Sequence, residues 1–178
     1  MKKRMIIFII TLSTTALSII ALIYGIKEGK LIFNTTSSFP LGLYKISKKE
    51  SYQKGDLVSF CAIPNQTIKK MIEQGYTRPN PNCPNKTPQL LKKILALEED
   101  NITIDREVFV NGYPVKNSQV FKKDRNGNLL TIQPSQSIQK GYFWAMSDYN
   151  KKSYDSRYFG QVPLKNIIGT ATPILTWN

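Results

Sequence analysis

Three short stretches of this 178-residue chain carry residue types able to do chemistry. The first is Asn34-Thr-Thr-Ser-Ser-Phe-Pro-Leu-Gly-Leu-Tyr44, where hydroxyls crowd ahead of a proline and a glycine. Pro40 fixes its own φ, and Gly42 opens backbone conformations that other residues resist, so the segment can hold a serine and its N–H in one geometry. A Ser/Thr-rich connection has the same composition. The second stretch is the doublet Lys92-Lys93 within Leu90-Leu-Lys-Lys-Ile-Leu-Ala-Leu97. In a strand the two lysines face opposite sides. Burial disfavours a lysine's charged form, and a neutral amine can take the proton of a serine hydroxyl. An edge strand with both lysines in water is the plainer alternative. The third is Ser153-Tyr-Asp-Ser-Arg-Tyr-Phe-Gly160. Here Asp155 and Arg157 are close enough to pair and brace a loop, and Ser153 offers a hydroxyl that could orient an amine. A polar turn leading into a strand would read the same way.

The absence of histidine narrows the choice of chemistry. It removes Ser-His-Asp and Cys-His catalysis and every metal site that needs imidazole. Two cysteines, Cys61 and Cys83, cannot make a four-thiolate zinc site in one chain. Neither has a histidine to activate it as a nucleophile. No metal and no cofactor is called for, and a general base must come from Lys, Asp, Glu or Tyr.

The elements that must position these residues begin at a membrane. The basic cluster Met1–Arg4 precedes Met5–Tyr24, 20 residues without a charge. A helix of that length spans roughly 30 Å, the hydrocarbon thickness of a bilayer. A cleaved secretory signal is the rival, but Gly25–Lys30 has no clear small-x-small cleavage site. Lys2, Lys3 and Arg4 favour a cytoplasmic amino end. Residues 1–30 therefore read as a cytoplasmic tip, a single transmembrane anchor and a short linker. Residues 31–178 read as a periplasmic or otherwise extracytoplasmic domain. An oxidising exterior permits a Cys61–Cys83 bridge, which would contribute about 3 kcal/mol on the chain-entropy view. Two separate buried thiols are the alternative.

The outer domain reads as mostly β. Short apolar or β-branched runs recur at 42–46, 57–63, 90–97, 101–104, 108–110, 142–146 and 167–177. Asn111-Gly112 between Val-Phe-Val and Tyr-Pro-Val predicts a two-residue hairpin, and Asp124–Asn128 another turn. Gln66–Tyr76 reads as one short helix, with Ile68, Met71 and Ile72 on a shared face and Gly75 able to cap its end. Residues 90–97 are ambiguous by periodicity, although Glu98-Glu99-Asp100 suggests a turn between two strands. Pro79–Pro88 reads as a Pro- and Asn-rich loop.

Taken together, the anchor, the Asn-x-Thr-x-Ser-x-Pro-x-Gly-x-Tyr pattern at 34–44, Leu91-Lys-Lys-Ile94 and Ser153-x-Asp-Ser-Arg-Tyr-Phe-Gly160 resemble the S26 signal peptidase family, most closely its conjugative-transfer (TraF-type) branch. The cysteine-bearing insertion between serine and lysine also looks like that branch. The resemblance implies a signal-peptidase-like β fold with one short helix in the insertion, behind a single transmembrane helix. It implies that Ser38 is the nucleophile and Lys92 the general base. Thr36 becomes a candidate oxyanion donor beside the Ser38 N–H. Ser153 would hold the lysine amine, and Asp155 with Arg157 would brace the loop. General leader peptidases carry Gly-Asp-Asn where this chain has Ser147-Asp148-Tyr149, which favours the TraF-like branch. Glu98-Glu99-Asp100 stands where a Pro-Gly-Asp turn is usual, a departure from both branches.

The implied activity is a Ser/Lys peptidase that cleaves the leader or propeptide of an exported precursor, a pilin-like subunit of a conjugative system. General processing of secreted preproteins is the alternative, and an anchored, non-catalytic basic module the remote one. Hydrolysis and peptide joining at an acyl-enzyme stay equally open. The net charge of +13 and a pI near 9.7 could suggest nucleic-acid binding. The Lys-Lys doublets at 48–49, 69–70, 92–93, 122–123 and 151–152 are spread evenly, however, and form no single stripe. Membrane lipid headgroups are the better-matched partner, and no nucleic acid is expected.

Overall fold

The computed structural model describes residues 2–177; Met1, which opens the basic cluster, and Asn178, which ends the outer domain, lie outside them. The first element is helix α1 (Lys2–Lys27), which buries none of its residues against the rest of the chain. It is long and apolar enough to cross a membrane. Its Ser and Thr residues fit that environment because each hydroxyl returns a hydrogen bond to a carbonyl one turn earlier: Thr11, Ser13, Thr14, Thr15 and Ser18 all do so.

The helix ends in a paired-bond cap. Lys30 N–H donates to Gly25 O and Gly29 N–H to Ile26 O, with Gly29 at φ +69°. Strand β1 (Leu31–Asn34) starts at the next residue, and Lys30 O accepts from Ile46 N–H. The linker expected up to residue 30 thus shrinks to a tight turn.

Among the described residues, ten further strands and two short α-helices follow, with single 3-10 turns at Pro84–Lys86 and Leu164–Asn166. They are β2 (Leu41–Ser47), β3 (Leu57–Cys61), α2 (Gln66–Glu73), β4 (Gln89–Ala96), β5 (Asn101–Ile104), β6 (Val108–Val110), β7 (Tyr113–Pro114), β8 (Gln136–Ser137), β9 (Tyr142–Met146), α3 (Ser156–Phe159), β10 (Val162–Pro163) and β11 (Ile167–Trp177). A seven-stranded antiparallel sheet has the order β1-β2-β11-β3-β4-β9-β10, and a four-stranded one the order β7-β6-β5-β8. The mostly β architecture expected from the strand pattern is therefore present.

Residues 90–97, ambiguous by periodicity, form a strand because β4 lies between β3 and β9, pairing Lys92 with Val58 and Lys93 with Met146. Most of its side chains are buried on both faces, so no alternation marks it in the sequence. Glu98-Glu99-Asp100 makes the expected turn. Glu99 takes φ +72°, and Asp100 Oδ2 accepts from Leu97 N–H. A glutamate thus adopts a left-handed backbone that glycine would take at no steric penalty.

Helix α2 stops at Glu73, not at Tyr76. Gly75 at φ +73° caps it, with Tyr76 N–H on Met71 O and Gly75 N–H on Ile72 O. Asn111 (φ 54°) and Gly112 (φ 82°) form the two-residue hairpin. Strand β3 ends at Cys61, short of the expected Ile63. The sequence reading lacked β1, β8, β10 and the one-turn α3, all too short to establish a period. Cys61 and Cys83 are disulfide-bonded, with Cα atoms 5.6 Å apart, so the separate-thiol alternative falls away.

Three apolar clusters support this frame. The largest joins Val58, Phe60, Ile68, Ile94, Phe143 and Phe159. A second, under the small sheet, contains Ile102, Val108, Trp144 and Met146. The third holds Phe39, Tyr44, Ile46, Leu91 and Ala171. It bears most directly on the chemistry, because Phe39 and Leu91 are the chain neighbours of Ser38 and Lys92. Burying each such side chain contributes about 1.5–3 kcal/mol, and here that burial also draws two distant segments together.

Candidate active site

The loop between β1 and β2 carries Ser38. Asn34, at the end of β1, organises it by donating from Nδ2 to the carbonyls of Thr36 (3.0 Å), Phe39 (3.1 Å) and Pro40 (3.0 Å). Asn34 Oδ1 accepts from the Thr36 N–H at 3.2 Å and from the Thr36 hydroxyl at 3.0 Å. Tyr44 OH donates to Pro40 O at 2.7 Å. Gly42 is required by packing: a Cβ there would sit 2.1 Å from Leu175 O on β11. The pattern residues at 34, 36, 40, 42 and 44 thus act together as a frame for position 38.

Strand β4 delivers Lys92 to the same point. Its Nζ donates to Ser38 Oγ at 2.7 Å. Lys92 is 3% exposed and Ser38 9%. Burial lowers the Lys92 pKa from its ordinary 10.5 to about 8; Asp155 opposes that shift and Arg157 adds to it. Lys93 turns to the other face and pairs with Asp148 at the partly exposed side of the sheet. The doublet is thereby divided into one buried and one solvated member.

The third segment completes the site. Ser153 Oγ lies 3.2 Å from Ser38 Oγ. Among the described residues it makes no hydrogen bond to Lys92 Nζ, so the structure sets Ser153 against the Ser38 hydroxyl where the sequence reading set it against the amine. Asp155 and Arg157 are both fully buried and meet through two parallel bonds, Nε to Oδ1 and Nη2 to Oδ2, each 2.8 Å. The remaining Arg157 donors reach the carbonyls of Gln119, Lys151 and Ser153. All five guanidinium N–H groups are thus used, which is what permits a buried charge pair. Asp155 also caps α3 by accepting from the Arg157 N–H. A loop carrying Ser153 is in this way tied to a fixed ion pair.

Two residues that sequence reasoning missed as site members have structural roles here. Asn34 is the hub of the Ser38 loop, and its place two residues before Thr36 is a recognisable Asx-turn signal. Ser147 is fully buried at the end of β9. Its Oγ donates to Ser38 O at 2.6 Å and accepts from the N–H groups of Tyr149 and Asn150. Its own N–H donates to Asp155 Oδ2 at 3.3 Å. Asn150 Nδ2 reaches Ser37 O at 3.0 Å. The only sequence signal for Ser147 was its replacement of the usual glycine.

The Thr36 hydroxyl donates to Asn34, so rotation about χ1 must precede any use of it by a substrate. Among the described residues no acceptor takes the Ser38 N–H. A buried hydroxyl, an amine of lowered basicity and a free backbone donor at one point suit attack on a carbonyl.

Comparison with known proteins identifies the family of the chain. The model of the signal peptidase, peptidase S26 family matches residues 3–177. The chain belongs to that family. It is 32% identical to a conjugal transfer protein TraF of Agrobacterium fabrum over 179 residues, covering 100% of this chain and 99% of that protein. It is 36% identical to a plasmid transfer protein TraF of Escherichia coli over 147 residues, 81% of this chain and 82% of the other. A solved signal peptidase I from Enterococcus faecalis V583 aligns with 71% of this chain and 100% of its own at 20% identity, with a TM-score of 0.42.

Proposed function

We propose that this chain is a membrane-anchored serine endopeptidase working through a Ser38–Lys92 dyad. Its substrate is the precursor of an exported protein, a pilin-like subunit of a conjugative transfer system, from which it removes a leader or propeptide. The observation that carries the reading is the 2.7 Å contact of Lys92 Nζ with Ser38 Oγ in a buried setting. Membership of the S26 family supports peptidase chemistry, and the names of the two TraF relatives favour conjugation over general secretion.

With a Lys92 pKa of about 8, roughly a tenth of the amine is neutral at pH 7. In that form it accepts the Ser38 proton as Oγ attacks the scissile carbonyl carbon. The developing oxyanion takes the Ser38 N–H and, after χ1 rotation, the Thr36 hydroxyl; such donors are worth about 2.7–4 kcal/mol each in comparable hydrolases. Collapse breaks the C–N bond, and Lys92 returns its proton to the leaving amine. Water, deprotonated by Lys92, then releases the acyl group; an incoming peptide amine would instead join two ends. Ser153 steadies the Ser38 hydroxyl, and the Asp155–Arg157 pair steadies Ser153. The basic residues Lys2, Lys3 and Arg4 support a cytoplasmic amino end, with the β domain on the opposite side.

General processing of secreted preproteins is the second reading, favoured by the family's description as signal peptidase. The test is processing of a precursor in membranes by three single variants. Ser38→Ala and Lys92→Ala should each reduce cleavage by at least about a thousandfold. Lys93→Ala should stay within about tenfold, because it loses only a partly solvated ion pair. Wild-type cleavage by either of the first two ends the dyad.

A further inference from the structure

A cavity of about 580 Å³ lies where α1 meets the sheet, lined by Glu28, Lys30, Lys45, Ile46, Lys48 and Ile168. The three lysines come from separate places: the helix cap, the middle of β2 and the residue after it. All three are exposed, and among the described residues none has an acidic partner. Glu28 offsets one of the three charges. The walls contributed by Ile46 and Ile168 are apolar. A space bordered by three cations and two isoleucines matches a phosphate attached to a glycerol backbone.

Its height relative to a bilayer is set by α1. At about 1.5 Å per residue, 26 residues span about 39 Å, against a hydrocarbon core of about 30 Å. With the uncharged stretch Met5–Tyr24 in the core, residues 25–30 occupy the headgroup layer. The cap bonds and the Ile46 N–H to Lys30 O bond (2.8 Å) hold the cavity against the end of the helix. Gly25 allows close contact there, since a Cβ on it would fall 2.7 Å from Leu31 Cδ1.

We infer that this cavity is a binding site for the phosphate headgroup of an anionic phospholipid, held by Lys30, Lys45 and Lys48. The inference rests on α1 being a membrane anchor and is independent of the dyad.

The test uses the full chain in detergent, titrated with short-chain phosphatidylglycerol, bound lipid being counted by native mass spectrometry. Wild type should retain one phosphatidylglycerol in preference to phosphatidylcholine, and equimolar inorganic phosphate should not displace it. The triple variant Lys30→Gln, Lys45→Gln, Lys48→Gln should bind it roughly a hundredfold more weakly, about fivefold per lysine near a lipid surface. A charge-matched control, Lys122→Gln, Lys123→Gln, Lys140→Gln, should bind like wild type. Equal binding by the two triple variants overturns the site. Displacement by inorganic phosphate overturns the lipid as its occupant. Flotation with vesicles reads the anchor separately. Wild type that fails to float sinks the anchor reading and this inference with it, whereas flotation without a retained lipid sinks the headgroup site alone.

Discussion

Ser147 Oγ donates a 2.6 Å hydrogen bond to the carbonyl of Ser38, joining residues 109 positions apart. The Ser38 peptide is therefore held from the β9 side as well as by Asn34. Replacing Ser147 with alanine leaves a buried carbonyl and two N–H groups short of a partner, at a stability cost of about 1–3 kcal/mol. We expect kcat to fall about tenfold with KM nearly unchanged, since the bond positions the reacting group and does not touch substrate. Steady-state kinetics on a reporter peptide check this. A rise in KM at constant kcat would contradict the positioning role.

Activity should track the protonation of Lys92. In the proposed dyad the neutral amine is the working form; with a pKa of about 8, kcat/KM should climb tenfold per pH unit below that value and level off above it. A pH profile that is flat between pH 6 and 9 would exclude Lys92 as the base.

The same burial makes Lys92 a burden on stability. Its folded pKa lies below its unfolded value, so below about pH 8 the folded state holds a buried charge that the unfolded chain exposes to water. Stability lost this way returns as pH rises from about 8 toward 10.5. Lys92→Met should therefore be inactive yet more stable at pH 7, by on the order of 2–3 kcal/mol before the lost hydrogen bond is subtracted. Denaturant unfolding at pH 7 and pH 10 measures it; the advantage should shrink at the higher pH. An equal advantage at both would show that packing, not charge, is responsible.

Asp155 and Arg157 should behave as one unit. Removing either alone leaves a buried charge and costs about 3–5 kcal/mol. Arg157→Met with Asp155→Leu should cost much less than the two singles added together. Strict additivity in that cycle would mean that the pair does not couple.

How much of this could be read from the chain depends on what each contact spans. Ser38 and Lys92 stand in short patterns of unusual composition, and Pro40 and Gly42 announce a constrained backbone. Strand alternation put Lys92 and Lys93 on opposite sides, and only the family resemblance singled out Lys92; the partners that distinguish them, Ser38 on one face of β4 and Asp148 on the other, come from distant segments. Ser147 was marked only by its replacement of the usual glycine and Asn150 by nothing, since their partners Ser38 and Ser37 lie more than a hundred residues away. Ser153 was expected on the amine and sits on the hydroxyl. A difference of that kind depends on the path of a loop, and that path is set by Arg157 drawing on three separate carbonyls. Strands of two residues, such as β8 and β10, are defined by their neighbours alone.

The cap at Gly25–Lys30 leaves no slack between α1 and β1, and the loop bearing Ser38 opens where that four-residue strand ends. With α1 seated in a bilayer as proposed, Ser38 Oγ stands at a constant elevation above the lipid. In the proposed peptidase a scissile bond would have to be lifted to that elevation by its own chain, which would turn the spacing between a substrate's membrane segment and its cut into a molecular ruler.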